Sequence, residues 1–378
     1  MTTIEAPPTT DWPATARDLV PDLAARAADH DRDGTFVQDG IDLVRDRGLL
    51  AMLVPAALGG GGATFAEACA VLTTLAHGCP ATSLTLSMHS HLVAAQVWRH
   101  HRDLPAPVLP RVAAEGLLLV STGAADWIAS SGVARKVDGG WRVTDRKMPA
   151  SGAPGGAVVV TSARWEDAPD GPQVVHMSIP FSADGVSIEE TWDAMGMRGT
   201  GSHTVVLDDV FVPDAAVPLV RPAGVWHPVW ATVLGCALPL ITSTYVGVAE
   251  AAVDRALALA GPRAERPETA PAVGRMVGAL TTAQDALAAM VRANDDLRFD
   301  PTIEGAAATL ARKGVAAAAA IEAVELAMEV GGGRAFSTGG GIERLLRDVH
   351  GATYHPLPPA AQLRFTGRVA LGLDPVGG

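Results

Sequence analysis

Apolar residues recur every three or four positions over 14–29 (ATARDLVPDLAARAAD), which predicts an amphipathic helix. A polar turn, HDRDGTFVQDG, follows and carries Gly34. The helical period resumes in IDLVRDRGLL, predicting a second helix that ends near Gly48, then a short apolar run and a glycine cluster at 59–62. Over 64–77 (TFAEACAVLTTLAH) the period returns, with Thr64 as N-cap and Glu67 three residues on, the pairing of a capping box. Residues 81–98 read as a further, mostly apolar helix.

Near 117 the period shortens. LLLVST, GGWRVTDRKM, GAVVVTSARW, GPQVVHMSIP, GVSIEETW and HTVVLDDVFVP are β-rich runs bounded by Gly, Pro, Asp or Ser, and they predict a compact antiparallel β domain. After Pro213 the strands are expected to stop. Residues 230–260, 273–297, 305–330 and 342–353 read as helices, several Ala-rich, and small residues let helices approach closely enough to form a bundle. The fold class is therefore α+β: an N-terminal helical domain (1–116), a central antiparallel β domain (117–215) and a C-terminal helical bundle (216–378).

Composition narrows the function. The chain has 378 residues, 48% hydrophobic and 19% charged, with a formal net charge of −12. That acidity supplies no basic face for nucleic acid and no attraction to anionic membranes. Aromatics at 4% leave an aliphatic core. Three cysteines (Cys69, Cys79, Cys236), none in a CxxC pair, argue against a disulfide framework or a metal site and fit a reducing, cytoplasmic setting. The N-terminal MTTIEAPPTTDWPATARDL has neither the basic nor the apolar region of a secretory signal. Residues 222–249 carry no Asp, Glu, Lys or Arg and are long enough to span a bilayer. Trp226, His227, Pro228, Pro239 and Thr242-Ser243-Thr244 interrupt them, so we read a loop followed by a helix buried in the bundle.

Three strings in this order carry a resemblance: DRDGTF (31–36) with LVRDRGLLAMLVPAALGGGG (43–62); WDAMGMRGTGSHTVVLDDVFVP (192–213); and EVGGGRAFSTGGGIERLLRD (329–348). The chain resembles the acyl-CoA dehydrogenase superfamily of flavoproteins over nearly its whole length. The resemblance implies a homo-oligomer, most simply a tetramer, with flavin between the β domain and the bundle. Gly332 and Gly333 match the segment that meets the adenosine half, which leans the cofactor toward FAD over FMN. Glu329 replaces that segment's Gln; an acid there would repel a pyrophosphate, so it is expected to contact a hydroxyl or to point away. Around the ring, the family's Glu-Pro is absent from the 120–126 string, and its stacking Trp is Pro149 here. Ser121 and Ser151 remain as hydroxyls for the flavin's polar edges, and each is equally readable as a turn residue.

The family's catalytic Glu occupies one of two positions. They fall on Pro356 and Ala237, and neither accepts a proton. Glu250 and Glu304 lie elsewhere. His355, in RDVHGATYHPLPP (347–359), stands eight residues after Arg347, the spacing at which the superfamily's flavin monooxygenases place a His. Those relatives combine dioxygen with flavin reduced by a separate reductase, and a nearby imidazole supplies or holds a proton. A lone His before Pro is otherwise a loop residue. His89 and His91, two residues apart on a helix, point to different faces: they form no metal clamp, and one of them is expected to look into the substrate cavity. Arg198 and Arg347 read as structural ion pairs. Three readings stand: a monooxygenase acting on a small organic substrate, an acyl-CoA or acyl-carrier-protein dehydrogenase with a displaced base, and a non-catalytic relative.

Overall fold

The structure, a computed structural model, describes residues 10–123 and 126–377. The first nine residues of the N-terminal string, and Ala124 and Ala125 of the 120–126 string, lie outside the described residues.

Helix α1 (Trp12–Asp33) is capped by Asp11, whose side chain accepts from the Ala14 N–H at 2.9 Å. Helix α2 (Gln38–Asp46) ends before Gly48, and α3 (Phe65–Gly78) starts on the anticipated capping box: Thr64 Oγ1 accepts from Glu67 N at 3.2 Å and Glu67 from Thr64 N at 2.8 Å. Helix α4 (Pro80–His100) follows, then α5 (Val108–Glu115), a stretch to which the sequence analysis assigns no element. Pro107 and Pro110 masked α5, although proline is tolerated at a helix start.

The sheet holds β1 (Leu119–Ser121), β2 (Val133–Val137), β3 (Gly140–Lys147), β4 (Val158–Trp165), β5 (Gln173–Pro180), β6 (Val186–Glu189), β7 (Thr204–Pro213) and β8 (Leu219–Pro222). Their order is β6-β7-β3-β2-β4-β5-β8, with β1 on β4. Two expectations are corrected. The sheet is mixed, because β1 runs parallel to β4 (Leu119 beside Val158) and β2 meets β4 in parallel at Val133 and Arg164. All three residues of β1 are buried, the continuous burial typical of parallel strands. The strands also continue past Pro213: β8 pairs with β5, and its central Arg221, almost wholly buried, disguised it as loop.

The C-terminal part comprises α6 (Val229–Ala260), α7 (Thr269–Asn294), α8 (Ile303–Gly331), α9 (Gly333–Phe336), α10 (Ile342–Val349), α11 (Gly351–Tyr354) and α12 (Pro359–Ala370). The expected helix 342–353 is broken at His350, and α12 was not anticipated. Helix α6 packs against α3, α4, α7, α8 and α10. It contains the apolar window long enough to cross a membrane, and 89% of that window is buried inside the protein, as expected of a bundle helix.

Candidate active site

The site is built where α6, α8 and α11 meet. His355 follows α11, and its Nδ1 lies 3.4 Å from the Tyr245 hydroxyl on α6. A small cavity of about 10 Å³ is lined by Ile241, Thr242, Tyr245, Lys313, Ala316 and His355. Burial, helped by the nearby Lys313 charge, pulls His355 down to about 4, so the ring is neutral at pH 7. Burial pushes the Tyr245 phenol well above its usual range, so it keeps its proton. The phenol and Nδ1 share one contact, and in the tautomer with its proton on Nε2 the phenol is the donor.

His89 and His91 are both buried on α4 and both lowered to about 4 by burial. His89 has no free nitrogen: Nε2–H donates to Leu50 O at 2.7 Å, and Nδ1 accepts from Leu119 N at 3.0 Å. It ties the turn at Leu49–Ala51 to β1, which removes it as a substrate contact. Among the described residues the buried His91 Nδ1 makes no close hydrogen bond; the Ser87 carbonyl one turn back acts on the ring, and His355 nearby lowers its affinity for protons.

Ser151, just beyond β3, begins a chain of hydroxyls. Ser151 Oγ is 2.8 Å from Ser202 Oγ, which is 2.7 Å from Thr200 Oγ1, which donates to Met197 O at 2.9 Å. With the last proton committed, Ser202 must donate to Thr200 and Ser151 to Ser202. Ser151 oxygen is then an acceptor for any further partner. Ser121 Oγ accepts from Gly123 N at 3.3 Å, closing a local turn.

Gly332 ends α8 with φ 62 and ψ −147, a conformation essentially restricted to glycine, and Gly333 opens α9 with no atom within 4 Å of a Cβ placed there. Glu329 points away from them, toward Arg275 at 2.6 Å. Arg347 pairs with Asp31 at 2.6 Å and Glu343 at 2.9 Å; Arg198 donates to Asp31 O at 2.7 Å and to Asp193 at 2.8 Å. Both arginines thus join α1, α10 and the 192–201 segment. Gly196 is required there, because a Cβ would meet Arg347 O at 2.2 Å. Glu250 is held by His77 at 3.1 Å and Gln284 at 2.7 Å, and Glu304 lies in the first turn of α8. Neither faces the cavity.

Sequence reasoning missed Tyr245 and Lys313. Their only signals were one of two tyrosines in an uncharged run, and a lysine on an Ala-rich helix.

These residues suit a flavin. The buried, unpartnered His91 nitrogen and the Ser151 oxygen offer hydrogen-bonding capacity to a polar heterocycle, and exposed backbone at Gly333 can approach a phosphate or ribose.

Two family models match the chain, the acyl-CoA dehydrogenase N-terminal domain over residues 11–118 and the C-terminal domain over 240–357. L-evernosamine nitrososynthase from a Micromonospora strain is 29% identical over 383 residues, covering 94% of this chain and 89% of that protein. A Bacillus subtilis protein named as an acyl-CoA dehydrogenase is 29% identical over 356 residues, covering 87% and 88%. Among solved structures, KijD3 with FMN and a dTDP-linked amino keto sugar superposes with a TM-score of 0.85 at 29% identity, covering 98% of this chain and 96% of that one. The same protein with dTDP gives 0.83 at 30% identity, covering 97% and 98%.

Proposed function

Because the chain belongs to the acyl-CoA dehydrogenase family yet carries Ala237 and Pro356 where a base would stand, we propose that it is a flavin-dependent monooxygenase. Reduced flavin, FAD or FMN, is delivered by a separate reductase in the cytoplasm. With dioxygen it supplies the electrons that place one oxygen atom on the substrate and send the other to water.

The residues divide the remaining work. Ser151, with Ser121 at the end of β1, holds a polar edge of the ring system. Gly332 and Gly333 bring backbone close to the distal half of the cofactor. His355 is the catalytic residue: neutral, seated on Tyr245, it offers Nε2–H as a hydrogen-bond donor to the reacting oxygen. His91 accepts from the substrate at its free Nδ1. The substrate is a small organic molecule. The nitrososynthase relative and the amino sugar bound to KijD3 favour an amine nitrogen as the atom oxidised.

The observation that carries this reading is the neutral His355 held by Tyr245, in a cavity whose lining has no carboxylate. The test supplies chemically reduced flavin, oxygen and a panel of primary amines. His355→Ala should fold and bind flavin nearly as well as the parent, form product on the order of a hundredfold more slowly, and release more peroxide. Product at the parent rate without extra peroxide overturns the assignment. Bleaching of oxidised flavin by a saturated acyl-CoA would restore the dehydrogenase reading.

The protein works as a homotetramer in this proposal. Phe336, Leu363 and Leu371 are 80%, 71% and 76% exposed, which is costly for large apolar side chains in an isolated chain. Light scattering that finds a folded monomer at micromolar concentration sinks it.

A further inference from the structure

Helix α8 buries a charge that the scheme above leaves idle. Lys313 is only 3% exposed, and its ammonium has one hydrogen-bond partner among the described residues, Thr353 O at 3.5 Å. Its neighbours along the same helix face are Ala316, Ala317 and Ala320, all buried, so an alanine or leucine would suit the packing at 313. A buried ammonium without a counter-ion is expensive and calls for a reason. The reason lies across the cavity, where Lys313, Tyr245 and His355 line one small space whose other walls include Ile241, Val246 and Ala352.

Building on the monooxygenase reading, we propose that Lys313 is a positioning residue: its buried ammonium, with no carboxylate beside it, adds to burial in disfavouring an imidazolium at His355 and so holds the ring against Tyr245 as a neutral partner. A second positive charge across so small a cavity is disfavoured. An imidazolium would also carry protons on both nitrogens, so Tyr245 could then meet Nδ1 only as an acceptor. The groups that face His355 are Tyr245 from α6, Lys313 from α8 and His91 from α4, with the Asp348 carboxyl of α10 acting on the Tyr245 side. Of these, Lys313 is the cation. Burial lowers it only to about 8, so it remains mostly charged at pH 7.

The test is Lys313→Met in the full chain, which keeps the length of the side chain and removes its charge. The His355 ring is followed by NMR against pH in the protein without flavin or substrate, its signals identified by their loss in His355→Ala. The midpoint should rise by about half a pH unit or more, toward the ordinary imidazole value of about 6.5. His89, whose nitrogens are both held by backbone, should not move, and the melting temperature should not fall. If Lys313→Met does not fold, Lys313→Gln, polar and uncharged, is read in the same way. A folded variant in which His355 titrates as in the parent overturns the proposal. Because this readout needs no turnover, it separates from the reading it builds on. If the titration moves but the acid limb of product formation does not, Lys313 positions His355 as proposed, and the catalytic role of His355 is what fails.

Discussion

His89 and His91 stand two residues apart on one helix, 0% and 5% exposed, and both are held neutral by burial. They differ in where their nitrogens end. His89 spends both on backbone, joining a turn to a strand, whereas the buried His91 Nδ1 makes no close hydrogen bond among the described residues. The lesson is that neither residue type nor burial separates scaffold from site here. Completeness of hydrogen bonding does. The same contrast divides the Arg198–Arg347–Asp31 junction, where the described guanidinium contacts end on carboxylates and carbonyls, from the cavity, where an ammonium goes without a counter-ion.

The comparison is broken most severely by His89→Ala. Leu50 O and Leu119 N would both be left buried without a partner, beside a void, and unfolding free energy should fall by about 3–5 kcal/mol. Urea denaturation reads this directly; a loss under about 1 kcal/mol would mean that the bracket is dispensable.

Acid sharpens it. An unfolded imidazole titrates near 6.5, while these rings titrate near 4 in the fold. Between those values the unfolded chain binds more protons, so stability falls as pH falls through the window, by on the order of 2 kcal/mol for each ring. A series of denaturation midpoints from pH 7 to 5 should show that slope in the parent and a shallower one in His89→Gln. An unchanged slope would mean that His89 is not held neutral. The smallest structural effect belongs to His91→Gln. It leaves a polar side chain in the space of the ring and opens less of a void than truncation to Ala, so stability should change by about 1 kcal/mol or less, yet product formation should fall by about tenfold or more. Normal turnover in that variant would return His91 to the scaffold.

What could be read from the sequence follows from how local each feature is. The capping box of α3 depends on Thr64 and Glu67 alone and was visible in the chain. So were the helical period of α4 and the burial of the uncharged run in α6. The parallel pairing of β1 with β4 joins residues 119 and 158, and no short-range pattern encodes it. Strand β8 was hidden by a buried arginine, and α12 by the prolines at its start. At the candidate site, the chain position of His355 after Arg347 was legible and its place beside Tyr245 was not; the separate faces of His89 and His91 followed from their spacing. That His89 spends both nitrogens on backbone was not legible, because it depends on Leu50 O and Leu119 N approaching one ring. Tyr245 and Lys313 stayed hidden for a related reason: the rotations of α6 and α8 are set by packing against each other.

Ala237 bears on reversibility. It lies on α6 at 4% exposure, in one apolar cluster with Met88, Ile241 and Tyr245. Restoring a glutamate there would drive a longer, charged side chain into occupied space, and burying that carboxylate alone costs several kcal/mol. Ala237→Glu should therefore melt well below the parent and still fail to bleach flavin with an acyl-CoA. A variant of this chain with a working base at 237 would first need the cluster around Met88 and Ile241 reopened. The packing locks the position, and one substitution does not release it.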